Sequence, residues 1–248
     1  MMLLSPVKIV ETAAFDLDKP TLVEGLPGLG LVGTIAATYL VDKLKMEPLG
    51  YMVSDKFPPI AAIHNNIPLH PARIYKSKKY NMIVLLSEFI IPLNSVYPLS
   101  EAILDWAIEK KVGKIVSLGG IVIRGEQDEV FGIASTQALV KELNANGIKT
   151  IKEGATTGVN GVLLAECASR NFPAVSLLAE AKPDYMDPKG AALVIEALKR
   201  IVGLDIDTTD LVKESVELEK KMTDVLTKAK ESGKHYKATG EEYGSMYG

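Results

Sequence analysis

The stretch NMIVLLSE, residues 81–88, carries five consecutive apolar side chains, Met82 to Leu86. A half-exposed strand would alternate apolar with polar residues. An unbroken run this short suits a strand covered on both faces. KIVSLGGI (114–121) and PAVSLLAEA (173–181) read the same way. VKIVE, TLVEG and LGYMVSD add shorter strands, and the stretch from residue 61 to 81 looks like strand material with turns at HNN and KSKKYN. Stretches of helical length and period stand between these runs: 30–44, 100–111, 135–147, 160–171 and 187–203. Ser135 suits an N-cap, Gly147 a helix stop, and Asp187-Pro188 a helix start. VIRGEQDEVFGIA, residues 122–134, reads as a loop or short excursion. Strands alternating with helices require a mainly parallel central sheet flanked by helices, an α/β fold.

The 248 residues, 47% apolar and 24% charged, suffice for a sizeable core. The net charge of −3 and the absence of long basic runs argue against a nucleic-acid partner. The N-terminal segment shows no signal-peptide pattern, and the apolar stretch from Leu26 to Val41 is broken by Pro27 and glycines. The expectation is a cytoplasmic protein without a membrane partner. Cys167, the single cysteine, lies in a helical apolar pattern and reads as a buried small hydrophobe.

EGLPGLGLVG holds Gly28, Gly30 and Gly33 in G-x-G-x-x-G spacing, between a strand and a helix, and Asp55 ends the next strand. Such a turn can place phosphates at a helix N-terminus while an acid binds a ribose hydroxyl. This is the alternative reading: a nucleotide- or nucleoside-binding enzyme. Against it stand Pro27, which removes a backbone donor, the strand preceding the unit, and the lack of residues for hydride chemistry. Asp55, Glu88 and Glu180 follow strands and would edge a ligand crevice or simply mark strand ends. His64 and His70 lack a third ligand for a metal, and His235 lies near the C-terminal end. GATTGVNG (154–161) is a loop before a helix, able to form an anion nest. No catalytic triad order, nucleophile elbow or P-loop appears.

From Asp207 the composition changes. Leu211, Ser215, Leu218, Met222, Val225 and Ala229 follow an a/d heptad spacing, so a C-terminal helix over 205–233 is expected to pack on the domain of residues 1–204 or on a neighbouring subunit. Residues 234–248 show no apolar periodicity and read as a flexible tail. The chain closes on Met246, Tyr247 and Gly248: a flexible apolar anchor, a rigid ring with a hydroxyl, and a carboxylate.

LVEGLPGLGLVGTIAATYLVDKL (22–44) resembles the opening signature of the proteasome assembly chaperone family, in its archaeal branch. The resemblance extends over about residues 5–232, through NMIVLLSE, KIVSLGG and GATTGVNG. It implies a phosphorylase- or hydrolase-like α/β sandwich, no catalytic residues, no cofactor and a homo-oligomer. Some archaeal members end in the HbYX motif of proteasome activators, which Met246-Tyr247-Gly248 matches. The resemblance then implies a chaperone or ATP-independent activator whose tyrosine and terminal carboxylate enter pockets between α-subunits of the 20S core particle.

Overall fold

The structure, a computed structural model, describes residues 7–122, 128–181 and 186–211. Nine strands form one sheet: β1 (Val7–Glu11), β2 (Thr21–Gly25), β3 (Glu47–Ser54), β6 (Ala72–Ser77), β7 (Met82–Ser87), β8 (Lys114–Ile121), β9 (Val130–Ala134), β10 (Lys149–Thr150) and β11 (Ala174–Glu180). Their spatial order is β1-β3-β6-β7-β2-β8-β11-β9-β10. β4 (Ala62–His64) and β5 (Ile67–Leu69) pair as a separate hairpin, turned by Asn65 and Asn66 in the left-handed region.

Helices α1 (Val32–Lys43) and α5 (Pro188–Val202) cover one face of the sheet, and α2 (Val96–Glu109) and α4 (Gly158–Ser169) the other. α3 (Gln137–Ala145) packs beside β9 and β10. The period-2 geometry of the central strands sorts their side chains. Val23, Val116 and Val175 join the α1/α5 core, while Leu22, Ile115 and Ala174 join the α2/α4 core. The unbroken apolar runs therefore are strands buried on both sides.

A mainly parallel sheet was expected, and the sheet is mixed. β7, β2, β8 and β11 form a parallel centre. β1, β3 and β6 join it antiparallel, and β9 runs antiparallel to β11. Connection length explains the difference. A parallel crossover needs a dozen or more residues, whereas β6 and β7 are joined by only residues 78–81, enough for a hairpin alone. The segment 122–134, read as a loop, supplies β9, whose Phe131 and Ile133 flank a glycine rather than a polar residue.

Helix ends follow their sequence signals with small shifts. Asp187 caps α5, its carboxylate accepting from the Gly190 N–H at 2.7 Å, and Gly203 ends it in the left-handed region. Thr136, one residue beyond the expected Ser135, caps α3. Ser135 instead donates to the Phe172 carbonyl and accepts from the Ala174 N–H, tying β9 to β11. α2 begins at Val96, four residues before the expected Ser100. Leu204, Ile206 and Leu211 are buried in the α1/α5 core, so packing continues past residue 204. The heptad seam beyond Leu211 and the tail lie outside the described residues.

Candidate functional site

The glycine turn is a packing device along most of its length. Gly30 adopts φ 62°, and a Cβ there would meet the Ala181 Cβ at 2.7 Å. A Cβ on Gly33 would lie 2.2 Å from the Leu118 carbonyl oxygen. These two glycines let α1 press onto β8 and let the segment before α5 approach the turn, where the Asp187 N–H donates to the Gly30 carbonyl at 2.8 Å. Only Gly28 of the three faces open space, with nothing within 4 Å of a Cβ. Asp55 stands at the end of β3, three strand spacings from β2, or roughly 14 Å. It is fully exposed, and Lys56 and Ser54 hold its carboxyl below the usual range. β2 has β7 and β8 as neighbours, so the turn and Asp55 do not converge on one nucleotide.

The other strand-end acids are also dispersed. Glu88, after β7, takes both terminal nitrogens of Arg73, the shorter contact at 2.7 Å, and His64 Nε2 comes within 2.8 Å without aligned hydrogen-bond geometry. His70 stacks on Tyr51 with ring centroids 3.8 Å apart. These contacts brace the β4–β5 hairpin against β3, β6 and the end of β7. Glu180 ends β11, three positions across the sheet from β7. Among the described residues no group of three His, Cys, Asp or Glu side chains could hold a metal, and no helix is long and apolar enough to cross a membrane. Cys167 is fully buried, and burial raises its thiol to about 12, so it is not a ready nucleophile.

A residue that the strand pattern concealed lines a cleft beside the glycine turn. Glu24, in the middle of the sheet, is 1% exposed. It neighbours Ser117 of β8, which in turn neighbours Ser176 of β11. In parallel register these three side chains share one face and make a polar row above the apolar row Leu22, Ile115 and Ala174. Glu24 Oε1 accepts from the Leu26 N–H at 2.8 Å. Oε2 makes no well-aligned hydrogen bond among the described residues, although the Ser117 hydroxyl lies close enough to the carboxyl to act on it. Burial pushes the carboxyl up to about 7, against the smaller lowering effects of the Leu26 N–H and the Ser117 hydroxyl. At the far end of the row, Ser176 donates to Asn160 Oδ1 at 2.6 Å. Asn160 Nδ2 has no partner among the described residues.

Above this row opens a cleft of about 920 Å³. Gly119, the next residue of β8 on that face, leaves it free, since a Cβ there would sit 3.1 Å from Asn160 Nδ2. Leu26, Leu178, Phe131 and Ile133 supply apolar walls. Gly28 and the 154–161 loop form the rim, where the N-terminus of α4 opens into the cleft. Thr157 gives α4 no side-chain cap, and Thr157 to Asn160 line the cleft. Glu24 was not singled out from sequence because an acid near a strand end ordinarily marks where the chain leaves the core. The available signal was its position one residue before the glycine turn.

The comparisons with known proteins agree with this architecture. The PAC2 family profile matches residues 22–226. An uncharacterised protein of Methanocaldococcus jannaschii is 34% identical over 219 residues, covering 88% of this chain and 90% of that one. The crystal structure of Pyrococcus furiosus PbaA, an archaeal homolog of proteasome-assembly chaperone, is 33% identical, covers 92% of this chain and 99% of its own, and superposes with a TM-score of 0.81. That of Pyrococcus furiosus PbaB, an archaeal proteasome activator, is 27% identical, covers 90% of this chain and 99% of its own, and has a TM-score of 0.75. With a family match spanning most of its length, the chain belongs to the PAC2 family.

Proposed function

We propose that this protein serves the proteasome as an assembly chaperone or ATP-independent activator, and that Met246, Tyr247 and Gly248 dock between α-subunits of the 20S core particle. The observation that carries the reading is its kinship with PbaA and PbaB over nine-tenths of the chain. The hydrophobic–Tyr–any pattern of the last three residues supports the docking step. Met246 fills an apolar notch, Tyr247 contributes a ring and a hydroxyl, and the carboxylate of Gly248 pairs with a cation or a backbone nest. The protein is read as a non-enzyme, acting through binding alone, as a homo-oligomer that presents several tails.

The test is the peptidase activity and co-sedimentation of an archaeal 20S core particle with the intact protein, with a variant lacking residues 246–248, and with Tyr247→Ala. Intact protein is expected to bind and to change peptide hydrolysis. Both variants should keep their fold and lose binding at least tenfold. Undiminished binding of the truncated protein would overturn the docking mechanism.

A further inference from the structure

We propose that the Glu24–Asn160 cleft is a binding site for a small planar cyclic amide, a heteroaromatic ring presenting an N–H donor beside a C=O acceptor, as nucleobases and their nucleosides do. The proposal starts from two unpaired polar atoms. Glu24 Oε2 makes no well-aligned hydrogen bond among the described residues, with only the Ser117 hydroxyl near the carboxyl, and it belongs to a side chain that is 1% exposed and lines the cleft. Leaving such a group unpaired costs about 1–3 kcal/mol, so a fold that keeps one at a cleft wall provides a partner for it. Asn160 Nδ2 is the second atom without a partner among the described residues, while Ser176 donates to Oδ1 at 2.6 Å. In this arrangement the amide nitrogen is the atom turned to the cleft and able to donate.

Placement makes the two orphans a pair. Asn160 Nδ2 lies over Gly119 of β8, and Glu24 extends from β2, the adjacent strand. Glu24 is registered with Ser117, two residues before Gly119, and its side chain reaches forward to the Leu26 N–H, which brings the carboxyl toward the level of Gly119 on the neighbouring strand. One accepts and the other donates, which is complementary to the N–H and C=O of a cyclic amide. The missing side chain at Gly119 leaves room for the edge to approach. Phe131 and Ile133 on one side, and Leu26 and Leu178 on another, offer apolar surface to a flat ring. The volume of about 920 Å³ accommodates a ring with a substituent such as a sugar. The remaining charged lining residues, Lys152 and Glu153, are exposed at the rim, so no cation is buried where the ring would sit. This favours an uncharged ligand over a free anion. The site uses neither Gly30, Gly33 nor Asp55 and requires no chemistry on the ligand.

The state of Glu24 sets the polarity of the site. The ionised carboxyl accepts at Oε2, whereas the protonated carboxyl donates there, because Oε1 is held by the Leu26 N–H. No charged side chain contributes to its titration, which is governed by burial, Leu26 and Ser117. A ligand N–H thus pairs with the ionised form, and affinity rises with pH through about 7. Glu24→Gln reproduces the protonated form. Its carbonyl oxygen is needed at the Leu26 N–H, which puts the amide nitrogen at the Oε2 position and sets donor against donor.

The experiment is calorimetric titration of the full-length protein at pH 6 and pH 8 with hypoxanthine, inosine, uracil and uridine. An N-methylated base lacking the donor and inorganic phosphate serve as controls. Saturable binding is expected, several-fold tighter at pH 8, and weakened tenfold or more by N-methylation, by Glu24→Gln and by Gly119→Val. Gly119→Val fills the cleft from β8, beside Asn160, and leaves the Glu24 carboxyl itself unaltered, so it tests the cleft through a separate change. Equal affinity for base and nucleoside would place the sugar outside the cleft, in keeping with the proposal. Binding of phosphate alone, no binding of any base at millimolar concentration, or binding indifferent to N-methylation and to Glu24→Gln would each overturn it. The proteasome reading stands or falls separately, through residues 246–248.

Discussion

Glu24 is a carboxyl that the fold keeps against the usual preference for solvation. Its native pKa is about 7, above the 4.5 of the free side chain. The native state therefore binds the proton more tightly than the unfolded chain does. Stability from this group is greatest below about 4.5 and is lost as pH rises toward 7, after which the penalty is constant. Glu24→Gln removes the titration while keeping the shape. Urea unfolding of the two proteins should show the variant gaining on the parent by about 2 kcal/mol between pH 5 and pH 8. Parallel pH profiles would mean that Glu24 titrates normally. Sequence reasoning weighed Asp55, Glu88 and Glu180, which end strands and look accessible. Asp55 is fully exposed and Glu88 is engaged by Arg73, whereas the orphan is inside a strand. What makes Glu24 distinctive is its registry with Ser117 and Ser176, and registry between strands distant in the chain is not written in any local pattern.

The β2–turn–α1 unit shows which features of an element can be read locally. The spacing Gly28, Gly30, Gly33 located a strand-to-helix turn correctly, yet the same spacing serves phosphate binding and tight packing alike. Distances separate the two. A Cβ on Gly33 would be driven against the Leu118 carbonyl oxygen, a backbone atom of a central strand that cannot step aside. Gly33→Ala should cost about 2 kcal/mol or more, in the range of overpacked cores. Gly28 has φ −147° and open space around it, so Gly28→Ala should change stability by no more than ~0.5 kcal/mol. Chemical denaturation of both variants checks the contrast. Equal losses would show that the turn resists side chains for some reason other than contact with β8. Strand direction was less legible than strand position, because the period of 2 is the same in parallel and antiparallel pairs. Within the nine-stranded sheet, the short 78–81 connection carried the antiparallel β6–β7 hairpin in its length, as residues 65–66 did for β4 and β5.

The described molecule is a packed α/β body, and its last described residues are tied to that body at a defined place. The Tyr39 hydroxyl of α1 donates to the Asp207 carbonyl at 2.7 Å, and Leu211 is completely buried. Whatever follows residue 211 therefore starts from a point anchored to α1 and α5. On the proposed function, this body is a platform and the last three residues are the ligand. Three residues bury little surface, so one tail should hold its pocket weakly. Several tails on one homo-oligomer convert later binding steps into intramolecular ones, with gains of about 10²–10⁴ in apparent affinity. A synthetic peptide of residues 241–248, EEYGSMYG, isolates the single-tail contribution. In a core-particle peptidase assay, the intact protein should reach half-maximal effect at a tail concentration at least about a hundredfold below that of the peptide. The peptide should compete with the protein for the same pockets at high concentration. If peptide and protein act equally on a per-tail basis, the tails bind independently and the oligomer adds nothing. If the peptide neither acts nor competes, recognition resides in the folded body, and the tail is not the docking element.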